Sequence, residues 1–151
     1  MPKPPGRVFL DTNVYLIGIA YLDSPEAEIL RWIGFGQNEP GPVEVVISEE
    51  VFDQIRRVAR RLRTKDWAGE ILGHIWQDIQ LRYVLLDLQE ISALESLGAI
   101  PREDVGIYLT ARDGQAECFV SSNRELITTL VQRTEEFECL SPELFVTKYL
   151  R

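Results

Sequence analysis

The groups able to do chemistry in this chain gather in short polar clusters. Asp11-Thr12-Asn13, Ser48-Glu49-Glu50 and Ser121-Ser122-Asn123 each follow an apolar run, and Asp104 stands where a helical pattern begins. Carboxylates set among hydroxyls and amides make an all-oxygen donor set, which suits Mg2+ or Mn2+, hard cations that keep several waters. Paired ions in such sites, about 3.5–4 Å apart, activate water and stabilise the leaving oxygen in phosphodiester cleavage. Each residue also has a plainer reading. Asp11 can cap a turn, Asp104 can complement a helix N-terminus, Ser48 can serve as an N-cap, and Glu50 can be a solvated charge.

Other chemistries fail on their first requirement. No glycine-rich fingerprint follows the first apolar run, which excludes a dinucleotide or P-loop site. His74 is the only histidine, so zinc sites built on several histidines are excluded. It also lies mid-helix, away from the serines a hydrolase triad would need. A phosphoacceptor receiver would show an acidic pair after the first strand and a lysine after the fifth. Here the first strand gives one acid, and although Asp87 follows the third, no lysine follows the fifth directly.

The elements that must position these groups follow from apolar patterning. Val8–Leu10 reads as a strand buried on both faces. Ser24-Pro25-Glu26 caps and opens a helix that ends near Gly34 and Gly36. Residues 43–47 are predicted as a second strand, and Ser48 caps a helix burying Val51, Ile55, Val58 and Leu62. Asp66 is expected to cap a helix from Trp67 to Ile79 with Trp76 facing inward, and residues 83–86 to form the third strand. A short helix over 91–97 precedes Pro101, which leads a helix over Val105–Ala111. Cys118–Val120 is predicted as the fourth strand, 123–131 as a helix, 137–140 as the fifth strand, and Ser141-Pro142 starts the last helix. Strands alternating with helices predict a three-layer α/β/α fold around a five-stranded, mainly parallel sheet.

Composition bounds the rest. At 151 residues, 45% apolar and 26% charged, the chain has the size and make-up of one globular domain, with residues 1–6 a flexible, Pro-rich lead-in. No apolar run is long enough to span a bilayer and no secretory leader is evident, so a cytoplasmic location is expected. Cys118 and Cys139 form no C-x-x-C pair and read as free packing thiols. Net charge is −8, yet Arg56, Arg57, Arg60, Arg61, Arg63 and Lys65 fall within ten residues. Such a basic stripe on an acidic chain is either a solvated helix face or a contact for phosphates.

Several segments, in order, resemble the PIN domain family, small α/β metal-dependent ribonucleases that include the toxins of many toxin–antitoxin pairs. Val8-Phe9-Leu10-Asp11-Thr12-Asn13-Val14 resembles the family's opening strand and D-T-N motif. The run from Glu103 to Ala111 resembles its third acid and the apolar helix behind it. Cys118-Phe119-Val120-Ser121-Ser122-Asn123 resembles its V-T-x-D or V-T-x-N corner, and Leu140-Ser141-Pro142-Glu143-Leu144-Phe145 its proline-led last helix.

The resemblance implies a Mg2+- or Mn2+-dependent endoribonuclease cleaving single-stranded RNA, with an antitoxin protein as partner; members commonly form homodimers. It places Asp11 and Asp104 as metal carboxylates and Asn123 at the fourth acid's position. It puts Gln54 where the family has its second acid, with Glu50 one turn earlier as a substitute ligand. Asn13 and Ser122 would support the site, and Arg56, Arg57, Arg60 and Arg61 would contact RNA phosphates. The neutral Gln54 leaves a second expectation open, that of a catalytically weak PIN-fold module that binds RNA or protein.

Overall fold

The computed structural model describes residues 2–133 and 135–151. Met1, part of the Pro-rich lead-in, lies outside the described residues.

The chain forms five strands, β1 (Arg7–Leu10), β2 (Glu44–Ser48), β3 (Gln80–Val84), β4 (Cys118–Val120) and β5 (Glu138–Leu140). They make one sheet in the order β3-β2-β1-β4-β5, and every pairing is parallel rather than mainly so. Val8, Phe9 and Leu10 are wholly buried, as are Val45, Val46, Ile47, Cys118, Phe119 and Val120. Strands with no solvent face require helices on both sides, and their unbroken apolar sequence is the signature of that burial.

Eight helices are described: α1 (Thr12–Ala20), α2 (Pro25–Ile33), α3 (Glu49–Leu62), α4 (Lys65–Asp78), α5 (Leu88–Leu97), α6 (Val105–Asp113), α7 (Arg124–Arg133) and α8 (Pro142–Phe145). A 3-10 turn over Arg102–Asp104 leads into α6, and a π-helical turn over Val146–Leu150 extends α8. Among the described residues no helix is long and apolar enough to cross a membrane.

Start signals behave as their chemistry requires at three helices. Ser24 Oγ accepts from Ala27 N at 3.1 Å with Pro25 at the first helical position, and Gly34 closes α2 in the left-handed region at φ 104°. Asp87 caps α5 through Gln89 N at 2.9 Å, which extends that helix three residues earlier than the pattern suggested. Ser141 caps α8 through Leu144 N.

Other expectations shift. Thr12–Ala20 is a helix that apolar patterning did not reveal, because its apolar residues cover every side and leave no period to read. Thr64, not Asp66, caps α4, its Oγ1 accepting from Trp67 N at 3.0 Å. β3 begins three residues earlier than expected, since register pairs Glu44 with Gln80 and Ser48 with Val84. Leu62 and Trp76 are exposed, at 62% and 58%, and Phe52 and Ala59 take the inner face of α3 instead. Cys118 and Cys139 are both free thiols.

Candidate acidic site at the carboxyl ends of the strands

The chain runs outward from β1 to β2 and β3, then crosses to β4 and β5 on the other side. Ligands of open parallel sheets gather beyond the carboxyl ends of the strands at such a reversal. Asp11 follows β1 there and Ser121 follows β4. Leu10 and Val120 are register partners, so the residues after them stand side by side.

Asp11 is held firmly. Only 6% exposed, it receives Ser121 Oγ on Oδ2 at 2.7 Å and the Thr12 backbone N–H on Oδ1 at 2.8 Å, while its own N–H donates to the Val120 carbonyl. Burial raises its pKa, and the two hydrogen bonds oppose that rise without cancelling it. Asp104, at the last position of the 3-10 turn, is pushed up to about 6, first by burial, then by the charges of Glu103 and Asp11. Two carboxylates that feel one another across a cleft are a locus of concentrated negative charge, relieved by a cation or a proton.

That cleft, of about 930 Å³, is lined by Asp11, Thr12, Asn13, Gln54, Glu103, Asp104 and Asn123 as its polar groups. Leu16, Val58 and Ile107 supply apolar wall, and Arg57 and Arg61 of α3 reach the same space. Two of the four arginines expected to contact RNA therefore line the cleft that holds the acids. Arg57 is shared with a second groove of about 570 Å³, where Arg56, Arg60, Asp53 and Glu50 join it.

The other candidates divide. Gln54 is bonded at both ends of its amide: Oε1 accepts from Thr12 Oγ1 at 2.8 Å and Nε2 donates to Glu50 Oε1 at 3.0 Å. Glu50 does not line the acid cleft. Its side chain lies over Gly106 in the first turn of α6, where a Cβ would stand 2.9 Å from Glu50 Cγ. Asn13 Oδ1 accepts from Ser122 N at 3.3 Å, and Ser122 Oγ donates to Glu26. Ser122 thus braces α2 rather than the acids. Asn123 lines the cleft, its N–H donating to Ser121 Oγ and its Oδ1 accepting from Leu126 N. Ser48 stands at the N-cap position of α3 without capping it; its hydroxyl pairs with Thr110 at 2.7 Å. His74 is exposed and pairs with the buried Asp78 at 3.0 Å, remote in role from the acids.

Ser121 and Thr12 stood in the polar clusters of the sequence without an assigned role, and Glu103 was not singled out as a site residue. The signal for Ser121 is the β1–β4 register, which a single strand cannot supply. The donor set as a whole is oxygen from Asp11, Asp104 and the neighbouring Glu103 with amides and hydroxyls, the chemistry of Mg2+ or Mn2+. It fits such an ion in donor type. Among the described residues no three His, Cys, Asp or Glu side chains converge as a metal-binding group.

No protein-family model matches the sequence, and no curated protein matches it. Solved structures do. One is a chain of VapBC2 from Rickettsia felis bound to a DNA fragment from their promoter, with a TM-score of 0.61 and 13% identity over 89% of this chain and 98% of that one. Another is a chain of VapBC-1 from nontypeable Haemophilus influenzae, with a TM-score of 0.59 and 12% identity over 91% and 98%. At that identity the likeness concerns the fold.

Proposed function

We propose that this chain, whose fold is that of a PIN domain, is a Mg2+- or Mn2+-dependent endoribonuclease acting on single-stranded RNA in the cytoplasm. The observation that carries the reading is the facing pair Asp11 and Asp104, in one cleft with Arg57 and Arg61. Asp11 and Asp104 would hold the ion, which when bound activates water and steadies the leaving oxygen of a phosphodiester. The chain's own residues do the rest. Ser121 and the Thr12 N–H fix the Asp11 carboxylate, Arg57 and Arg61 attract phosphates into the cleft, and Asn123, whose Nδ2 has no partner among the described residues, offers it to a ligand oxygen. The solved neighbours are VapBC assemblies, which supports an antitoxin protein as partner and a toxin role.

A second reading is favoured by Gln54. Its amide is bonded on both sides, so the position that would carry another carboxylate is neutral and occupied. On that reading the chain is a PIN-fold binding module with little or no turnover.

Mn2+ titration with a mixed single-stranded RNA pool separates the two, using wild type, Asp11→Asn and Gln54→Glu. Cleavage by wild type that Asp11→Asn abolishes supports the nuclease. Cleavage left unchanged by Asp11→Asn sinks it, and cleavage seen only in Gln54→Glu supports the binding module.

A further inference from the structure

The basic groove does not end at the arginines. Residues on a helix advance by about 100° each, so the outer face of α3 can be followed around its axis from Gln54. Arg61, Glu50 and Arg57 come first beside the cleft, then Asp53 and Arg60, then Arg56, and Phe52 marks the edge where the helix turns inward. Phe52 is buried, and Trp76 of α4 stacks on it with ring centroids 5.1 Å apart and planes 11° from parallel. Tyr83 of β3 stacks with Trp76 at 5.8 Å and 18°. The inner ring anchors the stack, while Trp76 and Tyr83 are exposed at 58% and 36%. Three acids lie in this surface and each is already partnered: Asp53 with Arg56 at 2.6 Å, Glu49 with the Tyr83 hydroxyl at 2.9 Å, and Glu50 with the Gln54 amide at 3.0 Å. Arg57, Arg60 and Arg61 have no acidic partner among the described residues, so their charge faces outward.

Unpaired guanidinium groups leading to exposed, mutually parallel rings are the equipment of a surface that holds single-stranded nucleic acid. The cations follow the backbone and the rings take bases by stacking, whatever their sequence.

We propose that the outer face of α3 is a single-stranded RNA track, running from the acid cleft over Arg57 and Arg60 to a base-stacking platform of Trp76 and Tyr83. It rests on the nuclease reading for its substrate class, but binding along it needs no divalent ion.

The test uses the full chain in EDTA with a fluorescein-labelled eight-nucleotide oligouridylate, read by anisotropy and by quenching of tryptophan emission. Wild type is expected to bind with quenching. Trp76→Ala should weaken binding about tenfold, Trp76→Phe should recover most of the loss, and Arg60→Gln should lower the slope of log affinity against log salt by about 0.7. Equal binding by wild type and Trp76→Ala overturns the proposal. So does a tryptophan signal that answers to protein concentration and not to the oligonucleotide, which would mark the face as a contact between copies of the chain. Wild type that shows quenching with the oligonucleotide but no cleavage with Mn2+ fails the nuclease reading and leaves the track standing.

Discussion

The Thr12 hydroxyl donates to Gln54 Oε1 at 2.8 Å, so the first turn of α1 and the cleft face of α3 are joined by a bond without charge. Gln54 passes the connection on through Nε2 to Glu50 at 3.0 Å. An acid at this position would keep the bond to Thr12 and lose the one to Glu50.

Gln54→Glu therefore sets two carboxylates at hydrogen-bond distance with no proton donor between them. The lost bond and the new repulsion together cost about 1–2 kcal/mol. For a domain of this size that lowers the melting temperature by about 2–8 °C in EDTA. Mn2+ should recover the loss by binding the folded state alone, and recover it more in the variant than in wild type. Differential scanning fluorimetry with and without Mn2+ reads this. A variant whose melting ignores the ion would show that Gln54 does not adjoin a cation site.

Asp104 gives a pH dependence whose sign is opposite to that of a salt-bridged acid. Its folded pKa is raised from 3.8 to about 6, by burial first and then by Glu103 and Asp11, so the folded state holds the proton more tightly than the unfolded chain. Stability from this group is full below about pH 4 and is lost as pH rises through about 6. Asp104 is partly exposed, and solvent screening brings the effect down to the order of 1 kcal/mol. Asp104→Asn should flatten that decline and melt about 2–4 °C higher than wild type at pH 7.5 in EDTA. Melts from pH 4 to 8 check it; parallel curves for the two proteins would count against the assignment.

Ser121 is the strongest influence holding the Asp11 pKa down against burial. Ser121→Ala removes the 2.7 Å bond to Oδ2, a hydrogen bond to a charged group worth about 1.5–3 kcal/mol. The pKa of Asp11 should then rise further, and the midpoint of Mn2+ binding against pH should move up with it. Ser121→Thr keeps the hydroxyl and should bring the midpoint back. A midpoint indifferent to both substitutions would remove Ser121 from the site.

What the sequence revealed of this site depended on how local each signal was. Asp11 and Asp104 were legible because a doubly buried strand and a proline-led helix start leave marks within a few residues. Ser121 was not separable from Ser122, since which of two neighbouring serines meets Asp11 depends on the register of β4 against β1. α1 was hidden by being apolar all round, and the start of β3 was missed at the sheet edge, where Gln80 and Arg82 dilute the apolar signal. Trp76 was misplaced because an aromatic at helical spacing is most often core. Here its partner ring, Phe52, takes the buried place.

Ser48 and Thr110 form a buried hydroxyl pair at 2.7 Å between β2 and α6, behind the acids. Thr110 Oγ1 also donates to the Gly106 carbonyl at 2.7 Å, which makes Ser48 the donor to Thr110. Thr110→Val preserves shape and leaves the Ser48 hydroxyl buried without an acceptor, at a cost of about 1–3 kcal/mol. Replacing both partners removes that orphan, so Ser48→Ala with Thr110→Val should be markedly more stable than Thr110→Val alone. The coupling energy from urea unfolding of the four proteins is expected to be at least about 0.5 kcal/mol. Additive losses in that cycle would mean that the two hydroxyls are satisfied independently and that the pair does not tie α6, and Asp104 at its head, to the sheet.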